Sequence, residues 1–499
     1  MSPTGTTHRR THLDDRLVAL GDVIERSKSG SAAFDLLFPA RVIHMKLVES
    51  SQTRSARSLF GAAAVQISRR SLTKGFAILI LLTSSMVTAA DWDHWRGPNR
   101  NGLTSETSGW DGGSWIEEQI WSAQVGAGSS SPLIVGDCVY LQGWSGNRDA
   151  IVCLDATSGK ERWRQSYPQP RYGRHAVGDQ SLYSGSSPTP EYDAETKFLF
   201  TLGVDGDLNA WDTRDGGKNV WSLNLYDHYH AGRRPEVAKR RRTRRDYGYT
   251  GAPLAHGDQL IVEVGGDQGN VVAFDKRTGR QLWTSKNQDE AGHTAGPVLL
   301  KVGRMQCVAV LTLRNLVVTQ IDGKTPGRTI AIYPWTTDFG NNVASPAVHE
   351  NSVVITSAYN QSAMCRLDIT TRGAREVWKT EGLASGVCSP IIHDGRIYWA
   401  WNGVRCVDFE TGSEIWRGGK VGSQGSCILT GDDRLIVYAN RGDLLLAETA
   451  KRSPDEYLQL AAKKVLSKTD AWPHVAFSSG QLVCRDRAGN VRCLKVSPR

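Results

Sequence analysis

Three groups of residues in this chain have the types and spacing to do chemistry. Asp227-His228-Tyr229-His230 sets three possible metal ligands within four residues. On a strand, alternation would put His228 and His230 on one side, yet a zinc site still needs ligands from elsewhere. A polar inter-blade loop is the favoured reading. The run Lys239, Arg240, Arg241, Arg242, Arg244 and Arg245 places six cations in seven positions. Such a run suits an anionic lipid, a polyanionic sugar or an acidic protein, and equally a solvated loop. Tyr226, Tyr229, Tyr247 and Tyr249 flank it and favour binding. Finally, nine cysteines are present, no two of them adjacent. Cys138 with Cys153, and Cys484 with Cys493, suit cross-strand bonds, whereas a role as small buried hydrophobes is favoured.

Other chemistries lack their signatures. There is no nucleophile elbow, phosphate-cradling glycine loop or zinc-protease motif, and no acidic cluster with calcium-ligand spacing. The formal charge of +9 sits mostly at the start. Residues 1–90 carry a net +6, which leaves +3 for the rest, and the basic run exceeds that alone. With no general basic face, nucleic acid is not an expected partner.

The elements that must position these residues repeat. Asp, Gly four residues on, and Trp four or five further recur at Asp155, Gly159, Trp163; at Asp212, Gly216, Trp221; at Asp275, Gly279, Trp283; and at Asp408, Gly412, Trp416. Looser copies are Asp322, Gly327, Trp335 and Asp368, Gly373, Trp378. An alternating apolar run such as Val271–Phe274 precedes the Asp and predicts a strand. The Asp side chain bonds amides just ahead, the Gly accepts positive φ, and the chain reverses into a strand carrying the Trp. The two positions before the Asp include a small residue at Cys153, Ala210, Ala273 and Cys406, and Cys493 holds the matching place in the last unit. A second mark opens most units. Pro132, Pro188, Pro253, Pro297, Pro346 and Pro390 each follow a Ser, Ala or Gly and start an apolar strand. Opening strands near Cys427 and near Trp472-Pro473-His474 bring the count to eight.

Four short strands per unit and eight units predict an all-β, eight-bladed propeller with antiparallel blades. Its ends predict closure. Gly489–Val496 ends without a Trp strand, and Ile120–Val125 is a Trp strand without a preceding turn. Joined, they complete one blade and hide the sheet edges. The strand-ending tryptophans 121, 163, 221, 283, 335, 378 and 416 are expected to be structural, closed to ligand.

Ahead of the repeats, Arg69-Arg70-Ser71-Leu72-Thr73-Lys74 is basic, Phe76 to Val87 is apolar, and Thr88-Ala89-Ala90 offers small residues for cleavage. This order reads as a signal peptide over 69–90, too short for a comfortable membrane span. Residues 1–68 read as a leader or an N-terminal extension outside the fold, and 91–499 as the propeller. A periplasmic or secreted monomer is expected, with no transmembrane segment after cleavage.

Ala273-Phe274-Asp275-Lys276-Arg277-Thr278-Gly279-Arg280-Gln281-Leu282-Trp283 resembles the tryptophan-docking repeat of PQQ-type propellers. That group includes the quinoprotein alcohol dehydrogenases and the outer-membrane assembly lipoprotein BamB. Trp92-Asp93-His94-Trp95-Arg96-Gly97-Pro98-Asn99-Arg100-Asn101-Gly102 is similar to the start of secreted PQQ-like repeat proteins abundant in planctomycetes. The resemblance covers about residues 91–497. It implies either a binding scaffold of the BamB kind or a dehydrogenase using PQQ with calcium. The vicinal Cys-Cys pair typical of the dehydrogenases is missing. A non-catalytic scaffold for a protein or cell-envelope polymer is therefore the leading expectation, with no cofactor. A PQQ-dependent dehydrogenase with a degenerate site and a carbohydrate-binding propeller are the alternatives.

Overall fold

The computed structural model describes residues 90–113, 115–170, 185–231, 247–337, 341–359 and 361–496. Contacts divide the chain into residues 1–83, which lie outside these, and 84–499. Each repeat folds as expected, and its fourfold period has a local cause. Glycine or a turn residue falls between runs of four to eight alternating residues, so each run stops and reverses. The strands form eight four-stranded antiparallel sheets. In chain order, blades 1 to 7 span residues 133–168, 191–224, 254–284, 298–334, 347–381, 391–418 and 425–464. Blade 8 takes Ala476–Ser478, Gln481–Arg485 and Asn490–Val496 from the C-terminal end and Ile116–Gln124 from the N-terminal end. Trp121 lies opposite Cys493 in that closing pair. With each blade's strands lettered A to D in order, neighbouring A strands contact each other between blades 2 and 3, 4 and 5, 5 and 6, and 8 and 1. Among the described residues no helix is long and apolar enough to cross a membrane.

The tryptophans wedge the blades together. In six blades a D-strand Trp faces the small or kinked position of strand C: Trp163 opposite Cys153, Trp221 opposite Ala210, Trp283 opposite Ala273, Trp378 opposite Arg366, Trp416 opposite Cys406, and Trp121 opposite Cys493. The indole then reaches the C–D turn of the next blade. Trp121 Nε1 donates to Ala156 O at 2.7 Å, Trp221 Nε1 to Lys276 O at 3.2 Å, and Trp378 Nε1 to Phe409 O at 2.9 Å. Beneath these three rings lies the turn glycine. A Cβ on Gly159, Gly279 or Gly412 would meet the ring at 2.6, 2.7 and 2.6 Å. The motif's Asp, Gly and Trp thus act across blades, each Trp docking on the following unit's turn.

Two details of the sequence reading change. In blade 2 the docked glycine is Gly217, whose Cβ would meet Trp163 at 2.5 Å, while Gly216 has open space. In blade 4 the docking position belongs to Ala331, opposite Val318, rather than to Trp335. Trp335 lies beyond the D strand and is 1% exposed, packed in the cluster that joins blades 4 and 5. It is structural and closed to ligand as expected, by a different contact. Blade 7 likewise places Ala461 opposite Leu446.

Candidate functional site

The D–A connections run inward from the outermost strand of one blade to the axis. Seven of the eight converge on one cavity of about 140 Å³. Its wall is hydroxyl, amide and aromatic: Ser187, Thr250, Thr294 and Asn341 beside Tyr247, His293, Tyr359 and Trp472. No Lys, Arg, Asp or Glu lines it among the described residues. Short Ser, Thr and Ala residues supply much of this wall, and glycines next to them let neighbouring backbones approach closely. A Cβ on Gly128 would lie 2.2 Å from Ser186 O, and one on Gly248 2.0 Å from Val204 O.

The N-terminal segment fills the axis beside the A strands. Trp92 bridges Ile134 of blade 1 and Leu103 bridges Leu429 of blade 7. Between them, Arg100 pairs with Glu191 of blade 2 and donates to Ala255 O of blade 3 at 3.2 Å. Trp95 Nε1 donates to Ser345 Oγ ahead of blade 5 at 2.9 Å, and Arg96 donates to Pro390 O ahead of blade 6. Trp95 also forms part of the cavity wall, its ring 4.5 Å from that of His474. The Trp-rich opening is thus a plug that ties five or more blades to one strap.

Buried ionisable groups stand directly behind this wall. Burial drives Glu263 up to about 7, although the Thr294 hydroxyl and the Asn270 amide, at 3.2 Å, donate to it. Asp149 also rises to about 7 through burial, with the Ser186 and Tyr167 hydroxyls as donors. Burial, helped by Arg96, pushes His474 down to about 3, so its imidazole is neutral. Glu191 is the opposite case. Burial favours its neutral form, but Arg100 and His94 outweigh that and hold the carboxyl below its usual range. The wall is therefore uncharged at neutral pH except where Glu263 and Asp149 titrate behind it.

Several sequence-predicted residues fall elsewhere. The basic run, Lys239 to Arg245, lies outside the described residues, although Tyr247 on its C-terminal side lines the cavity. Tyr226, Tyr229 and Tyr249 are buried in the core between blades 2 and 3, where Tyr249 donates to Val264 O at 2.7 Å. They pack the core instead of framing a binding loop. Asp227-His228-Tyr229-His230 is not a strand: Leu225–Tyr229 is one helical turn capped by Asn224, and His230 turns left-handed at φ +52°. Asp227, His228 and His230 face solvent. No group of three metal-binding side chains occurs among the described residues. All nine cysteines are free. Cys138 lies opposite Asp155, two positions from the residue that faces Cys153, yet the two thiols interact side chain to side chain; Cys484 lies opposite Arg492, one position from Cys493. Cys153, Cys406 and Cys493 are fully buried small hydrophobes, as favoured. A quinone bearing several carboxylates, with its calcium ion, needs cations and carboxylates to hold it. The described cavity wall supplies neither, so it does not fit that group.

Sequence reasoning missed the plug's role and the convergence of the D–A connections. The Pro marks ahead of the A strands were the available signal. Residues 117–224 and 148–418 match the family model described as outer membrane protein assembly factor BamB. The outer membrane protein assembly factor BamB of Burkholderia pseudomallei (strain K96243) is 28% identical over 174 residues, 34% of this chain and 34% of that protein. The match thus spans about a third of that relative's length. BamB from Moraxella catarrhalis superposes with a TM-score of 0.52 at 14% identity, over 76% of this chain and 99% of that one. The computationally designed Ika8 protein gives 0.49 at 13%, over 76% and 100%. Matched over more than half its length, and built of eight blades wedged by docked indoles, this chain belongs to the PQQ-like β-propeller repeat family that includes BamB.

Proposed function

We propose that this chain is an exported, non-catalytic scaffold that binds a protein or cell-envelope polymer across the face where its D–A connections converge. One observation carries the reading. The plug occupies the axis beside the A strands and gives Trp95 to the wall of a neutral, aromatic-lined cavity around which seven inter-blade connections open. Such a face offers many shallow contacts and few reactive groups, as a binding surface does. Membership of the family supports a protein partner. The basic run in the sequence suits an acidic or anionic partner.

The test is site-specific photo-crosslinking in the cell envelope. Probes at Ser187 and Asn341 are expected to give one defined adduct. Probes at Thr157 and Arg277, on the C–D turns, are expected to give none. Deleting residues 232–246 is expected to weaken the adduct and make what remains less salt-sensitive. Equal labelling from both faces would defeat the proposal.

The cavity's chemistry favours a second reading, the end group of a neutral glycan. Aromatic faces with hydroxyl and amide partners suit a sugar ring, and no charge in the described wall opposes it. A glycan array scored with Trp472→Ala separates this from protein binding.

A further inference from the structure

Of the nine cysteines, two from neighbouring blades meet. Cys388 lies just ahead of strand A in blade 6, and Cys427 lies within strand A of blade 7. Their sulfurs are 3.9 Å apart, and both residues are buried. The surroundings single out Cys388. The Ala400 N–H donates to its sulfur at 3.2 Å, and the Arg96 guanidinium of the plug lies close to both thiols. Arg96 is 3% exposed and hydrogen-bonds carbonyls, at Pro390 and Asn101, and among the described residues it forms no ion pair with a carboxylate. A buried cation and an aimed amide are what stabilise a thiolate. Burial alone would raise the Cys388 thiol, but its contact with Cys427, the Ala400 amide and Arg96 together hold it below the usual value, while Cys427 is raised.

We infer that Cys388 and Cys427 are an oxidative modification site, forming a disulfide that staples blade 6 to blade 7 beneath the plug. The oxidant is a disulfide, either a low-molecular-weight one of the glutathione type or that of a dithiol oxidase. The Cys388 thiolate attacks one sulfur of that disulfide, its S–S bond breaks, and one thiolate leaves. The Cys427 thiol gives its proton to that departing thiolate. Its own sulfur then displaces the second thiolate from the mixed disulfide, closing the Cys388–Cys427 bond. The two protein sulfurs are oxidised and one external disulfide is reduced to a thiol and a thiolate, which takes from water the proton Cys388 released on ionising. The loop so closed contains the whole of blade 6. Because Arg96 and the plug cover the sulfurs in the finished fold, exchange occurs as the strap seats during folding, with Arg96 already near Cys388 and the sulfurs still open to the oxidant.

The experiment refolds the reduced full-length chain with oxidised glutathione and then alkylates it in denaturant. Peptide mass spectrometry is expected to find Cys388 joined to Cys427 in most molecules, with Cys307 and Cys365 alkylated. The oxidised protein is expected to melt about 5 °C above the chain refolded under reduction. Cys427→Ser is expected to abolish both the link and the shift. If that variant fails to fold, the peptide map of the unaltered chain decides alone. Full alkylation of Cys388 and Cys427, or a link from either to a third cysteine, would overturn the inference.

Discussion

Single side chains carry the largest consequences where a ring, a turn glycine or a buried charge leaves no slack. Gly279 has φ +72°, and a Cβ there would lie 2.7 Å from the Trp221 indole. Gly279→Ala therefore meets both a strained backbone and a clash that pushes the docked ring away. A loss of about 2–4 kcal/mol in urea-unfolding stability is expected. Gly257→Ala is the control: its φ is +55° with nothing within 4 Å, so only the backbone cost of about 1 kcal/mol remains. Glu263 gives a pH signature. Its pKa rises from 4.5 to about 7 on folding, so between those values the native state holds more protons than the unfolded one. Stability therefore falls as pH rises through that window. Glu263→Gln removes its share of the fall and leaves that of Asp149, so its advantage over the parent chain is expected to grow by about 3 kcal/mol from pH 4.5 to pH 7. Denaturant midpoints measured across that range check it; a constant difference would mean that Glu263 does not titrate there.

At the scale of an element, the plug is the feature whose loss is most informative. It contributes little regular structure and holds the axis through specific polar contacts. Arg100 neutralises Glu191, which is 1% exposed. Arg100→Ala leaves that carboxylate facing only His94 and the Ala255 amide, at 3.1 and 2.9 Å. A cost of about 3 kcal/mol is expected, because a buried charge without its partner is far worse than no charge. Glu191→Gln in the same background is expected to recover part of it, and a double-mutant cycle measures the coupling. Additive losses would show that the pair is not coupled.

The whole molecule depends on closure. Blade 8 is the one sheet built from both chain ends, so its D strand, Ile116–Gln124, has Asn490–Val496 as its partner. Truncation after Gly489 strips that partner and exposes edges on two strands. The expected outcome is loss of the single cooperative melt, with soluble aggregates by light scattering. A truncated chain that still melts in one transition would mean that the blades are stable as an open array.

How much of this was readable in advance follows from distance along the chain. The Asp-Gly-Trp spacing, the Pro marks and the unmatched half-units at the two ends are local patterns. Each is set by turn geometry and strand alternation within about fifteen residues, so they determined the blade, the count of eight and the closing blade. Trp335 shows the limit. A tryptophan at roughly the right interval is not a docking residue unless the bulge places it opposite strand C, and in blade 4 the bulge places Ala331 there. The helical turn at Leu225–Tyr229 was likewise hidden, because Asn224 caps it through a side chain that reads equally well as a loop residue. Only the tertiary structure decided the axial cavity, the plug and the meeting of Cys388 with Cys427. Trp95 and Ser345 stand 250 residues apart, and ring closure alone brings such pairs within hydrogen-bond reach. No local spacing encodes a contact made across the axis of a closed ring.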